Sequence, residues 1–153
     1  MGGTENGGTP SAFALADKPA VIAHLNMLQA IIARLASNSV QCKTWCLAIV
    51  SALFGFAGAM KSDAILAAAI VPIVIFGLVD AAYLAQEKAY RGLFNSLVDG
   101  IRNNEYALLD SFNLKAPANS GHYLAALKSW SVWPLYVGLV LVYVLARMSG
   151  LLT

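Results

Sequence analysis

Asp80 is the first residue that demands a chemical account. It stands in AILAAAIVPIVIFGLVDAAY, the apolar run from Ala64 to Tyr83. A carboxylate in such a setting is costly and is kept where it faces a water-filled interior or a partner. It can be wet at the boundary of the run, pair with Lys43, Lys88 or a neighbouring subunit, or serve an ion path. A second group follows the run: Arg91, Arg102, Lys115, His122 and Lys128, interleaved with Tyr90, Tyr106 and Tyr123. Guanidinium forks hold phosphate and aromatic faces stack a base. Arg91, Arg102, Tyr106, Lys115, His122 and Tyr123 are therefore the candidate site for a nucleotide or other anion. The same residues also suit anionic lipid headgroups, or serve only to keep their loop cytoplasmic.

Catalytic patterns are missing. The chain has no P-loop, no Gly-x-Ser-x-Gly elbow, no His-Glu-x-x-His and no dinucleotide fingerprint. His24 and His122 are its only histidines, and nothing local supports a Cys42–His122 nucleophile pair. Cys42 and Cys46 lie one helical turn apart, but without a third or fourth ligand they make no zinc site. Reduced, packed thiols are expected. The reading is a non-enzyme with no catalytic residue, no metal and no cofactor.

The elements that must position these residues are apolar. Of 153 residues 59% are hydrophobic and 12% charged, about half the charge of an ordinary soluble domain. Two runs, Trp45–Met60 and Ala64–Tyr83, are separated only by Lys61-Ser62-Asp63, room for nothing but a tight reversal. A hydrocarbon core of about 30 Å needs roughly 20 helical residues, since lipid offers a bare amide or carbonyl no partner. The pair reads as a transmembrane hairpin over 42–85, and the uncharged run Ser131–Ala146 as a third span, within 131–153. Basic residues stay cytoplasmic during insertion. Lys18, Arg34 and Lys43 precede the first span, and Lys88, Arg91, Arg102, Lys115 and Lys128 separate the second from the third. The N-terminus is then inside and the C-terminus outside, with Trp45, Tyr83, Trp130 and Trp133 near the inner interface.

The remaining segments follow. Residues 1–16, rich in glycine and small polar residues, read as a disordered tail without the basic start and apolar run of a secretory signal. Residues 17–41 read as a cytoplasmic amphipathic helix, capped by Asp17, with Pro19 in its first turn. Its stripe of Val21, Leu25, Leu28, Ile32 and Leu35 is poor in flanking cations for a membrane-surface helix, so it is expected to pack on another helix, as an oligomer interface. Ser51, Gly55 and Ala59 recur every fourth residue, a spacing that lets helix backbones approach closely in lipid. It suits hairpin packing or self-association, with Ser51 and Gly55 as pore or gating candidates beside Asp80. Pro72 should kink the second span near its middle. Helical periodicity continues into the cytoplasmic region 86–130, as one rod to Ile101, with a break expected at Asp99-Gly100. Asn113–Gly121 is the clearest loop.

HLNMLQAIIARLASNSVQCKTWCLAIVSA (His24 to Ala52) and FGLVDAAYLAQEKAYRGLFNSL (Phe76 to Leu97) resemble small bacterial membrane proteins of phage-defence loci. The layout is similar to two-transmembrane effectors associated with SMODS and SLOG proteins, or to TIR-linked membrane proteins. The resemblance covers about half of the chain in two blocks and departs from the two-span pattern at the third hydrophobic segment. It implies an all-α integral inner-membrane protein acting in abortive infection, with a homo-oligomer in the lipid bilayer. A cyclic or TIR-derived nucleotide, or a soluble defence protein, would bind the cytoplasmic side and cause the subunits to breach the membrane; no nucleic-acid polymer is expected as partner. The competing classes are a non-conducting membrane adaptor for a soluble partner and a small ion channel or carrier using Asp80.

Overall fold

A chain this apolar, with helical periodicity and few breakers, satisfies its backbone within helices. The computed structural model describes residues 19–103, 114–116 and 120–149. Among these, every regular element is a helix: α1 (Pro19–Met60), α2 (Asp63–Ala68), α3 (Ile70–Arg102), α4 (Ser120–Leu127) and α5 (Trp133–Met148). Two stretches, α1 and the α2–α3 segment, are long and apolar enough to cross a membrane. The third apolar run forms α5, whose 16 residues reach only about 24 Å.

The reversal between α1 and α2 is built from local chemistry. Lys61 takes a left-handed conformation, φ 47°, and the Ser62 N–H donates to the Ala57 carbonyl at 3.0 Å. That six-to-one bond closes a helix on a left-handed residue. Ser62 then caps α2, its Oγ accepting from the Ile65 N–H at 3.4 Å, and Asp63 in the first turn complements the helix dipole. The reversal therefore occupies the three residues between the runs.

Of two expected interruptions, one moves and the other does not form. The second apolar run breaks at Ala69, nearer its start than its middle, because Pro72 lacks the N–H that the Ala68 carbonyl would accept. The Ala69 N–H turns back to Leu66 at 3.1 Å, and the Ile73 N–H reaches the Ala69 carbonyl at a stretched 3.5 Å. Pro72 itself sits in the first turn of α3, where proline is tolerated. The break expected at Asp99-Gly100 does not occur: α3 runs on to Arg102. One interior glycine costs only ~1 kcal/mol, and Leu97 and Ile101, both buried, supply packing across it. The expected tail 1–16 lies outside the described residues, as do Asp17 and Lys18.

The chain forms two compact units. One comprises Met1–Ala33 and Ala89–Pro117. Within it the α1 residues Val21, His24 and Leu28 and the α3 residues Ala89, Leu97 and Ile101 are buried. The other comprises Arg34–Lys88 and Ala118–Thr153, and its core gathers Cys46 and Val50 of α1, Ile73, Ala81, Leu84 and Ala85 of α3, and Tyr136 and Leu139 of α5. α4 is tied to α3 in this unit: the Tyr123 hydroxyl donates to the Leu78 carbonyl at 3.2 Å, and Lys88 Nζ to the Ala125 carbonyl at 3.2 Å. Arg147, in the last turn of α5, stands 3.7 Å from Asp63 in the first turn of α2, an exposed pair worth little alone.

Candidate functional site

The second unit buries a charge. Asp80 is 0% exposed, on the face of α3 that also buries Ile73, Ala81 and Leu84. Its counter-ion comes from α1. Lys43 Nζ donates to Asp80 Oδ1 at 2.9 Å and stands 2.7 Å from Oδ2. The first contact has hydrogen-bond geometry; the second is a charge contact only. Ser39, one turn before Lys43 on α1, is buried. It accepts from Lys43 Nζ at 2.8 Å and donates to Asp80 Oδ1 at 2.5 Å. One carboxylate, one ammonium and one hydroxyl therefore join α1 to α3.

Two further residues of the same unit lie near them. The Tyr136 hydroxyl of α5 donates to the Phe76 carbonyl at 3.3 Å and lies within interaction range of the Asp80 carboxylate. The Cys46 thiol, fully buried, points at the Pro72 carbonyl from 3.9 Å. Cys42 and Cys46 are both free. The surroundings are inverted relative to a water-soluble domain, because the same unit that hides Asp80 exposes Ile49, Phe56, Val71, Ile75, Leu141 and Leu145. Large exposed apolar surface of this kind marks an interaction with lipid or another protein.

An ion pair in such a place has a defined physical role. Two desolvated charges barely offset their own burial, but removing one partner is costly, which ties the two helices into a single arrangement. Lys43 keeps a route to water, its side chain 23% exposed, whereas Asp80 has none. The cluster is a clamp between α1 and α3.

Comparison with protein-family models, curated proteins and solved structures gives no match. The reading of the site therefore rests on its own geometry.

Of the three partners open to Asp80 in the sequence, the structure selects Lys43. Lys88 is engaged elsewhere, on α4. Ser51, Gly55 and Ala59 lie on an exposed face of α1, so these small residues do not serve packing of the hairpin within one chain. Val21, Leu28 and Leu35 are buried within the chain, while Leu25 and Ile32 are partly buried. The stripe expected at an oligomer interface therefore has its inner edge occupied intramolecularly.

The six candidate anion-binding residues are not all described. Tyr106 lies outside the described residues, as does the side chain of His122. Tyr123 spends its hydroxyl on the Leu78 carbonyl, and the exposed Arg102 stands 4.0 Å from the exposed Asp99. Arg91, Arg102 and Lys115 belong to the first unit, and Tyr123 to the second. Among the described residues no group of His, Cys, Asp and Glu is placed to hold a metal ion. Ser39 and Tyr136 are the site residues that the sequence reading missed. For Ser39 the signal was present, because it precedes Lys43 by four residues and so shares its helix face.

Proposed function

We propose that the chain is a multi-pass protein of the bacterial inner membrane, N-terminus inside and C-terminus outside, that permeabilises or depolarises the membrane when triggered. It acts as a homo-oligomer, the trigger is a cytoplasmic nucleotide signal or partner protein, and the Lys43–Asp80–Ser39 clamp is the catch of the closed state. The observation that carries this reading is the fully buried, lysine-paired carboxylate in a unit whose outer surface is apolar. Lipid explains the apolar exterior, and a two-state device explains a pair that costs as much to bury as it returns. Length supports the reading, since the 42 residues of α1 exceed the roughly 20 that a ~30 Å hydrocarbon core needs. The anti-phage role comes from the resemblance of the two blocks described above.

The trigger works only through differential affinity. About 5.5 kcal/mol of preference for the open arrangement carries a population from 1:99 to 99:1, which several subunits can share. The closed state still leaves a minor open fraction, so raising the copy number raises the leak. Induced expression in bacterial cells is expected to lower the membrane potential and admit a normally excluded dye. The two readouts are a potential-sensitive fluorophore and dye entry, with the membrane-bound protein quantified alongside. An unchanged potential at high membrane content would favour the second reading, a non-conducting adaptor, in which the sealed, lysine-paired Asp80 is only a structural brace.

A further inference from the structure

The Lys43 ammonium sits among three oxygens. Asp80 Oδ1 lies 2.9 Å from Nζ, Asp80 Oδ2 2.7 Å and Ser39 Oγ 2.8 Å. Ser39 spends its own proton on Asp80 Oδ1, so its oxygen is left to accept. Two helices supply the set, α1 the hydroxyl and α3 the carboxylate.

The charge and spacing of these oxygens define what they hold. One carboxylate and one neutral hydroxyl carry a single negative charge, which a monovalent cation cancels and a divalent one overshoots. Distances of 2.7, 2.8 and 2.9 Å are also too long for magnesium, which takes about 2.0–2.1 Å, or calcium, which takes about 2.3–2.6 Å. An ammonium group and a potassium ion have nearly the same radius, so a cage that fits the lysine head fits either free ion. Protein oxygens then stand in for part of the ion's hydration shell.

The two members of the ion pair differ in what they can do alone. Asp80 is fully buried, and its Oδ2 makes a charge contact with Lys43 but no hydrogen bond. A carboxylate so placed needs its charge balanced. The Lys43 side chain is partly exposed, and its flexible stem can carry the ammonium into water. Departure of the lysine leaves the oxygens in place with one unbalanced charge and an opening to water.

We propose that Asp80 and Ser39 form a binding site for a small monovalent cation of ammonium or potassium size, filled by the Lys43 ammonium in the closed arrangement and by the free ion when Lys43 swings out. This rests on the two-state reading of the clamp above. The free ion balances the carboxylate without a covalent tether to α1, so the link between the helices falls to Ser39 alone.

The first test removes the tether. The full chain carrying Lys43→Ala is unfolded with urea in a mild detergent, at constant ionic strength, in potassium, ammonium or N-methylglucamine chloride. Binding to the folded state multiplies its folding equilibrium by 1 + [ion]/Kd, so potassium or ammonium at ten times Kd is expected to raise it about tenfold, with saturation. N-methylglucamine is too bulky for the cage and gives no rise. Adding Asp80→Asn to Lys43→Ala is expected to abolish the response.

The second test uses the parent chain and so does not depend on the variant folding. An amine-acetylating reagent reaches Lys43 only when its head is in water, and mass spectrometry reads each lysine separately. Replacing N-methylglucamine with potassium is expected to raise acetylation of Lys43 about threefold by shifting the population towards the swung-out side chain, with the exposed Lys61 unchanged.

Equal behaviour in all three salts, in both tests, would overturn the proposal and leave only charge screening. Recovery of Lys43→Ala on acidification, with no difference between the cations, would overturn it in favour of a proton. A cation response with no loss of membrane potential on expression would support the ion site and count against permeabilisation, so the two readings fail separately.

Discussion

Lys43→Ala is expected to cost the folded protein ~3–5 kcal/mol, the range for breaking a buried ion pair by deleting one partner. The reason is the position of Asp80, 0% exposed, which keeps its carboxylate away from water when the ammonium is gone. Ser39 is then the one member of the clamp left to it, a single hydroxyl against a full charge. A hydrogen bond to a charged group contributes only ~1.5–3 kcal/mol, so the hydroxyl does not make good the loss. Replacing both charges with apolar residues of similar size, Lys43→Met with Asp80→Leu, is expected to recover most of the stability, since the desolvation penalty disappears with the pair. Denaturant titration in a mild detergent, followed by helical circular dichroism, measures all of these. A Lys43→Ala loss within the ~0.5 kcal/mol of an ordinary surface change would show that the pair clamps nothing.

Asp80→Asn tests the functional half of the same idea. The amide keeps the size of the side chain and removes its charge. Lys43, 23% exposed, can then carry its ammonium outward along its aliphatic stem, so the fold is expected to lose less than in Lys43→Ala. The closed arrangement loses the charge attraction that distinguishes it from the open one. A bias of only 1.4 kcal/mol changes the open-to-closed ratio tenfold. Asp80→Asn is therefore expected to depolarise cells at an expression level about tenfold lower than the parent chain. An identical dose–response would remove the pair from gating, and abolished depolarisation with intact assembly would make Asp80 part of the ion path instead.

How much of this was legible in the sequence depended on whether the signal was local. The hairpin was plain, because two apolar runs separated by three residues leave one solution, and Ser62 and Asp63 are residues that start helices. The stripe at Val21 and Leu28 was legible by the same periodicity, and both residues are buried. Asp80 stood out as an isolated charge. Its partner needed the third dimension, since Lys43 and Lys88 were equal candidates until α4 claimed Lys88 through the Ala125 carbonyl. Ser39 was hidden because a serine in a helix that is neither cap nor kink is chemically silent until a carboxylate is placed beside it. The break went to Ala69 because a proline disturbs the turn before it rather than its own position. The helix passed Gly100 because burial of Leu97 and Ile101 outweighs one residue's weak propensity. The basic and tyrosine-rich set was read from composition, and Tyr106 and the side chain of His122 lie outside the described residues.

The proposed function requires insertion as a hairpin, with the Lys61 turn outside and the region around Lys115 inside. Single cysteines at these two exposed positions, in a chain with Cys42→Ala and Cys46→Ala, report this directly through a membrane-impermeant maleimide added to intact cells. Hairpin insertion predicts labelling at position 61 and protection at position 115 until the cells are permeabilised. Equal labelling at both positions, or recovery of the chain from the soluble fraction without detergent, would contradict it.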